Sequence, residues 1–242
     1  MQSFAGPAAT NSVAVVTGGS RGIGIAIASA LADLGFAVVI IGRDKAHLDH
    51  SAIELRSRGL KCEGIVCDVT DLALVNELGS RLRETYGRVD VLVNNAGIAG
   101  PASLLHEFNP EDWDAIFDTN VRGAFYVMRA VVPLMIATGA GHIVNISPLA
   151  GKNPLPRGAA YSASKWALNG LTYSVAEELR AYNIRVSVVC PGSVDTEFSP
   201  HAGKVADRML RPGDVAHVVT MLVTQRPQSF VSEVLLRPTQ KP

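Results

Sequence analysis

Two sets of residues in this chain have the types and the spacing to do chemistry. Tyr161 and Lys165 stand four apart within AAYSASKW, a stretch that reads as helix, so their side chains share one face. A phenol titrates near ~10 in water, and a neighbouring ammonium favours the phenolate, which brings the group toward working pH as a proton donor or acceptor. The second set is TGGSRGIG, Thr17 to Gly24, placed between an apolar run and a helical stretch. Gly18, Gly22 and Gly24 permit a tight turn and a close backbone approach to a phosphate, and the following helix offers free N–H groups and a positive dipole. Ser20, Arg21 and Ile23 complete this loop. Each signal has a plainer alternative: a surface Tyr–Lys pair without a role, and a glycine turn that only joins a strand to a helix.

A third observation concerns which phosphate. The second apolar run ends in IIGRD, residues 40–44. In dinucleotide-binding folds an acidic residue here holds the adenosine ribose and repels a 2′-phosphate. Gly42 and Arg43 occupy that region instead, and Arg21 lies inside the glycine loop. Two guanidiniums near the ribose favour NADP(H) over NAD(H). Asp44 counts the other way, and two solvated surface arginines are the alternative.

These residues act together only if a fold assembles them. Short β-branched runs alternate with longer amphipathic stretches: VAVVT at 13–17, AVVII at 37–41, CEGIVCD at 62–68, VDVLVNN at 89–95, HIVNIS at 142–147, IRVSVVC at 184–190 and FVSEVLL at 230–236. Helical stretches lie near 22–34, 44–58, 110–137 and 157–182. Strands that are apolar at nearly every position and joined through helices predict a parallel sheet covered on both faces. The expected architecture is a single-domain, Rossmann-like α/β fold, doubly wound around a seven-stranded parallel sheet. Residues 1–12 are expected to form a flexible tail and 13–242 one dinucleotide-binding domain, with a short substrate lid near 198–211.

The bulk properties agree with such a domain. In 242 residues there are 22 lysines plus arginines against 22 aspartates plus glutamates, so no basic excess points to nucleic acid. The start of the chain lacks the basic residues and apolar run of a signal peptide, and the apolar runs break before membrane-spanning length. Three cysteines, Cys62, Cys67 and Cys190, without CxxC spacing read as free thiols of a reducing compartment. A cytoplasmic protein without membrane or nucleic-acid partners is expected.

With these pieces in order, the chain resembles the short-chain dehydrogenase/reductase family from Val13 to about Leu236. The resemblance rests on TGGSRGIG at 17–24, CDV at 67–69, NNAG at 94–97, Asn120 in DTNVRGAF, the Tyr161/Lys165 pair and PGSVDT at 191–196. It implies that Asp68 and Val69 flank the adenine and that Asn95, Ala96 and Gly97 line the cofactor cleft. Pro191, Gly192, Val194 and Thr196 would surround the nicotinamide. Tyr161 would transfer the proton, Lys165 would lower its pKa and hold the ribose, and Asn120 would anchor a relay water. Read from the residues alone, Asn120 could instead satisfy local backbone, and Asp68 could cap the next helix. A homodimer or homotetramer is also implied, built on the helices near 110–137 and 157–182.

One position departs from the family's pattern. A serine that hydrogen-bonds the substrate carbonyl usually stands thirteen residues before the tyrosine and three before a glycine; both counts select Pro148. Proline donates no hydrogen bond from side chain or backbone. Ser147 should point the other way, because side chains alternate along a strand. The reading is therefore an NADP(H)-dependent oxidoreductase on a carbonyl or alcohol, impaired at Pro148, with a non-catalytic NADP(H)-binding or assembly protein as the alternative. General likeness to 3-oxoacyl carrier-protein reductases makes a 3-oxoacyl thioester the first substrate to consider, although the ending SEVLLRPTQKP departs from theirs. No metal site is expected: His47 and His50 lack a third ligand, and His106, His142, His201 and His217 read as surface or loop residues.

Overall fold

Runs such as VAVVT, buried at every position, need a helical layer on each side. The computed structural model, which describes residues 11–198, 203–226 and 228–242, provides both. Seven parallel strands lie in the order β3-β2-β1-β4-β5-β6-β7. They are β1 (Val13–Thr17), β2 (Ala37–Gly42), β3 (Cys62–Val66), β4 (Val91–Asn94), β5 (Gly141–Ile146), β6 (Ile184–Pro191) and β7 (Glu233–Leu236). Alternate strand residues serve opposite faces. Ala14, Val16, Val38 and Ile40 pack under α1 (Gly22–Asp33), α2 (Lys45–Ser57) and α7 (Pro212–Val223). Val13, Val15, Val39 and Ile41 pack under α3 (Leu72–Tyr86), α5 (Gly123–Thr138) and α6 (Ala159–Leu179).

The chain leaves β3 at one edge and returns beside β1 as β4, so the winding direction reverses between β1 and β4. A crevice beyond the carboxyl ends of these two strands is where such sheets take ligands. The glycine turn follows β1 and Asn95–Gly97 follow β4, one on each side of that crevice.

Three expectations need adjustment. Ser12, placed in the expected tail, is buried and its carbonyl accepts a hydrogen bond from Ala37 N at 2.8 Å; residues 1–10 of that expected tail lie outside the described residues. The helix expected over 110–137 is α4 (Pro110–Phe117) joined to α5 through a π turn, Asp118–Arg122. This joined helix is long and apolar enough to cross a membrane by length and composition, and it buries Val127, Val131 and Met135 against the sheet. His142 is a strand residue at 1% exposure, because β5 is covered on both faces. Its Nε2 donates to Ser187 Oγ at 2.8 Å, since that hydroxyl gives its own proton to the Val231 carbonyl.

Candidate active site

The glycine turn is shaped by contacts that leave no room for side chains. Gly18 and Gly22 have φ of 62° and 55°, a left-handed backbone that favours glycine. A Cβ on Gly24 would lie 2.0 Å from the Gly18 carbonyl oxygen, so the start of α1 folds directly onto the turn. Asn95 fixes the turn to β4 by donating from Nδ2 to the carbonyls of Thr17 and Gly18, both at 3.1 Å. Thr17 Oγ1 accepts from the N–H groups of Asn95 and Ala96, each at 3.0 Å. Gly24 and the Asn95 amide thus build the turn from behind, while Gly18, Ser20, Arg21, Gly22 and Ile23 line an open cleft of about 770 Å³.

At the far end of the same cleft Tyr161 and Lys165 come off the first turns of α6, both buried. Lys165 Nζ lies 5.8 Å from the centre of the Tyr161 ring and 3.5 Å from the Ile146 carbonyl. A Cβ added to Gly97 would sit 3.0 Å from Asn120 Oδ1 and 3.2 Å from Lys165 Nζ, so these two groups face one another across that glycine. Asn120 reaches this position from the π turn, a local widening that often marks a functional position in a helix. Its Oδ1 accepts from Ile98 N at 2.8 Å, and its Nδ2 donates to Ile98 O at 2.9 Å and Ser164 Oγ at 3.0 Å. The backbone that Asn120 satisfies is therefore a distant loop, not its own helix.

Burial controls the titration here. It pulls Lys165 down to about 8 and pushes the Tyr161 phenol above its ordinary value. The resemblance implies a lowering of Tyr161 by Lys165; in the structure burial alone shifts the phenol, upward, and it brings the amine close to losing its charge.

A profile of the short chain dehydrogenase family matches residues 12–206. The chain belongs to that family. An uncharacterised oxidoreductase of Staphylococcus saprophyticus is 37% identical over 227 residues, covering 93% of this chain and 97% of the relative. Among solved structures, a metagenomic short-chain oxidoreductase in complex with NADP superposes with a TM-score of 0.85 at 46% identity, covering 96% of this chain and 98% of that one. A variant of actinorhodin polyketide ketoreductase with NADPH gives a TM-score of 0.86 at 32% identity, over 94% and 96% of the two chains.

In this short chain dehydrogenase the other expected residues divide into two groups. Arg43, Asp68, Val69, Asn95, Ala96, Gly97 and Thr196 line the cleft with the residues above, whereas Gly24 and Asn120 lie behind its wall. Pro191, Gly192 and Val194 do not line it either; they form the end of β6 and the bridge from Val194 to Leu210 behind it. Asp68 is not the cap of α3: that is Asp71, while Asp68 Oδ1 accepts from Thr70 N and Oγ1 at 2.9 and 2.8 Å. The Pro148 side of the wall matches the counts made above. Pro148 lines the cleft, whereas Ser147 is fully buried and donates from Oγ to the Lys165 backbone carbonyl at 3.1 Å. A Cβ on Gly151 would meet Ser147 Oγ at 2.8 Å, so little space is left for that hydroxyl to turn.

Sequence reasoning overlooked several groups. Ser164 links the Asn120 amide to α6 and donates to the Tyr161 carbonyl at 2.7 Å; its place next to Lys165 was the available signal. Ile98, Ile146 and Phe198 also line the Tyr161 end, the Phe198 ring 6.3 Å from that of Tyr161. His47 lines the other end. Of the expected lid, residues 199–202, His201 among them, lie outside the described residues. The described parts are anchored where Asp195 N donates to Leu210 O at 2.8 Å and Leu210 N to Ser193 O at 2.9 Å.

Proposed function

We propose that this chain is an NADP(H)-dependent oxidoreductase acting on a carbonyl/alcohol pair, in the direction of ketone reduction. The observation that carries the reading is that Tyr161 and Lys165 line one end of a cleft whose other end is a glycine cradle, with Asn120 buried across Gly97 from Lys165. The cradle fits a nicotinamide dinucleotide: Gly18 and Gly22 hold a left-handed turn at the start of α1, whose N-terminus favours phosphate, with Arg21 and Arg43 beside it. The cofactor, when bound, exchanges hydride with the substrate carbon. Tyr161, kept protonated by burial, donates its phenolic proton to the carbonyl oxygen. Lys165 supplies positive charge below pH 8 and N–H donors for the ribose. Asn120 holds the Ile98 loop and keeps one Oδ1 lone pair for a relay water. The segment 198–211 serves as a lid that excludes water, and the single dinucleotide-binding domain extends to residue 242.

Pro148 stands where a second donor to the carbonyl would be useful and gives none. Loss of such a donor typically costs about 2.7–4 kcal/mol, or ~10²–10³ in rate, which leaves a slow enzyme. The same observation favours a second reading, an NADP(H)-binding protein without turnover. NADPH oxidation against ketones and 3-oxoacyl thioesters, by the natural protein and by Pro148→Ser, separates the two. We expect a rise of about 10²-fold on substitution. NADPH binding without turnover by either form supports the second reading, and a fast natural protein unchanged by serine would show that another group holds the carbonyl.

A 3-oxoacyl thioester is the first substrate class to test, in keeping with the resemblance and with a polyketide ketoreductase among similar structures. We also assign a homodimer or homotetramer, supported by Phe125 and Ile136 on α5 and Trp166 and Tyr173 on α6, large side chains left exposed. Light scattering at several concentrations tests it. The three buried free thiols, each pushed up to about 11 by burial, support a cytoplasmic location.

A further inference from the structure

Asp44 counts against a 2′-phosphate when read from the sequence, because it places a carboxylate beside Arg43 at the end of β2, where the adenosine ribose is received. The structure shows how that charge is held. Oδ1 accepts from the backbone N–H of His47 at 3.0 Å and so caps α2, and Oδ2 lies 3.0 Å from His47 Nδ1. The backbone hydrogen bond from His47 is the largest of the influences that hold this carboxyl below its ordinary range. Asp44 and His47 both line the cleft with Arg21, Arg43 and Asp68, and the proton-transfer machinery uses neither.

The neighbouring charges are similarly matched. Arg43 lies 3.9 Å from Asp68 Oδ2, and Arg21 lies 3.4 Å from Glu197 Oε2. On α2 itself Lys45 pairs with Asp49. A carboxylate released at this end would oppose a 2′-phosphate, whereas NAD(H) offers it a 2′-hydroxyl to accept from.

We propose that His47 is a positioning residue for cofactor selectivity: by engaging Asp44 through both its ring and its backbone N–H, it keeps that carboxylate from opposing a 2′-phosphate and so favours NADP(H) over NAD(H). The proposal rests on reading the cleft as an NADP(H) site. The pair is exposed and screened by water, so the effect on affinity is only a few-fold.

The test is a double-mutant cycle on the full chain, with NADPH and NADH titrated by fluorescence. His47→Ala should weaken NADPH a few-fold and bind NADH at least as well as the natural protein. Asp44→Asn, which retains a good helix cap, should bind NADPH at least as well as the natural protein. In the Asp44→Asn background His47→Ala should then have no effect on NADPH. An equal loss in that background would mean that the imidazole meets the phosphate itself, and the masking role falls. An inert His47→Ala, in a protein that does bind NADPH, overturns the proposal alone. A natural protein that fails to bind NADPH overturns both the proposal and the reading of the cleft beneath it.

Discussion

The two ends of the cleft handle charge in opposite ways. At the glycine end the described charged side chains are paired and wet: Arg21 with Glu197 and Arg43 with Asp68, while Asp44 meets the His47 ring, the two arginine side chains each 69% exposed. Water screens such pairs, which hold their groups loosely and leave them able to exchange partners when a ligand arrives. At the Tyr161 end Lys165 and Asn120 are 3% and 1% exposed, and among the described residues no carboxylate forms an ion pair with the amine. There the missing water, not a partner, moves the titration of both Lys165 and Tyr161. The first end is suited to choosing a ligand by its charge, the second to holding and moving a proton.

The comparison breaks most readily at the buried end. Tyr161→Phe removes the proton donor and should lower ketone reduction by ~10³-fold, with NADPH affinity changed only a few-fold. Full activity in steady-state assays of this variant would place proton transfer elsewhere. Next comes the pH profile. Lys165 is charged below pH 8 and loses its proton above it, so kcat/KM for reduction should fall as pH rises through about 8, by up to ~10-fold per unit. Lys165→Arg, which stays charged, should flatten that limb, whereas a flat profile in the natural protein would remove the ammonium from the mechanism.

Substitutions at the exposed end should be milder and selective. Arg43→Ala is expected to weaken NADPH by about 10-fold, the value of one hydrogen bond to a charged group, and to leave NADH unchanged. Equal losses for both cofactors would assign Arg43 to the shared part of the dinucleotide. A smaller test carries the burial rule to a third place. Burial holds His142 down to about 3, against 6.5 in an unfolded chain. Between these values the unfolded chain takes up a proton that the native one refuses, so this contribution is intact above pH 6.5 and lost as pH falls toward 3. The slope is on the order of 1 kcal/mol per pH unit, measurable by urea melts, and His142→Gln should reduce it.

Much of the architecture was legible in local patterns. The seven apolar runs became the seven strands, with ends shifted by up to three residues, because a strand buried on both faces shows its burial at every position. The glycine turn and the Tyr161–Lys165 spacing were legible for a similar reason: each is a relation between residues a few positions apart. Pro148 too was found by counting, and its wall of the cleft agrees with the count. Apart from the cap of α3, which is Asp71 and not Asp68, the failures involve partners distant in sequence. Nothing near Asn120 announces a π turn or its hold on Ile98 and Ser164, twenty-two and forty-four residues away. His142 looked like a loop residue because a lone histidine in a strand carries no periodic signal, and only the covering helix makes it a buried base.

By itself, then, the sequence determined the order of strands and helices, the phosphate turn, and which residues could exchange a proton, because backbone propensity, periodicity and short spacings are written along one dimension. The tertiary structure alone decided that Ser147 is tied to the Lys165 carbonyl, that Lys165 is dry enough to sit near neutrality, and that Asp44 is held by His47. Those outcomes depend on desolvation and on hydrogen bonds closed across packed elements. Neither exists until the sheet and its two helical layers have come together.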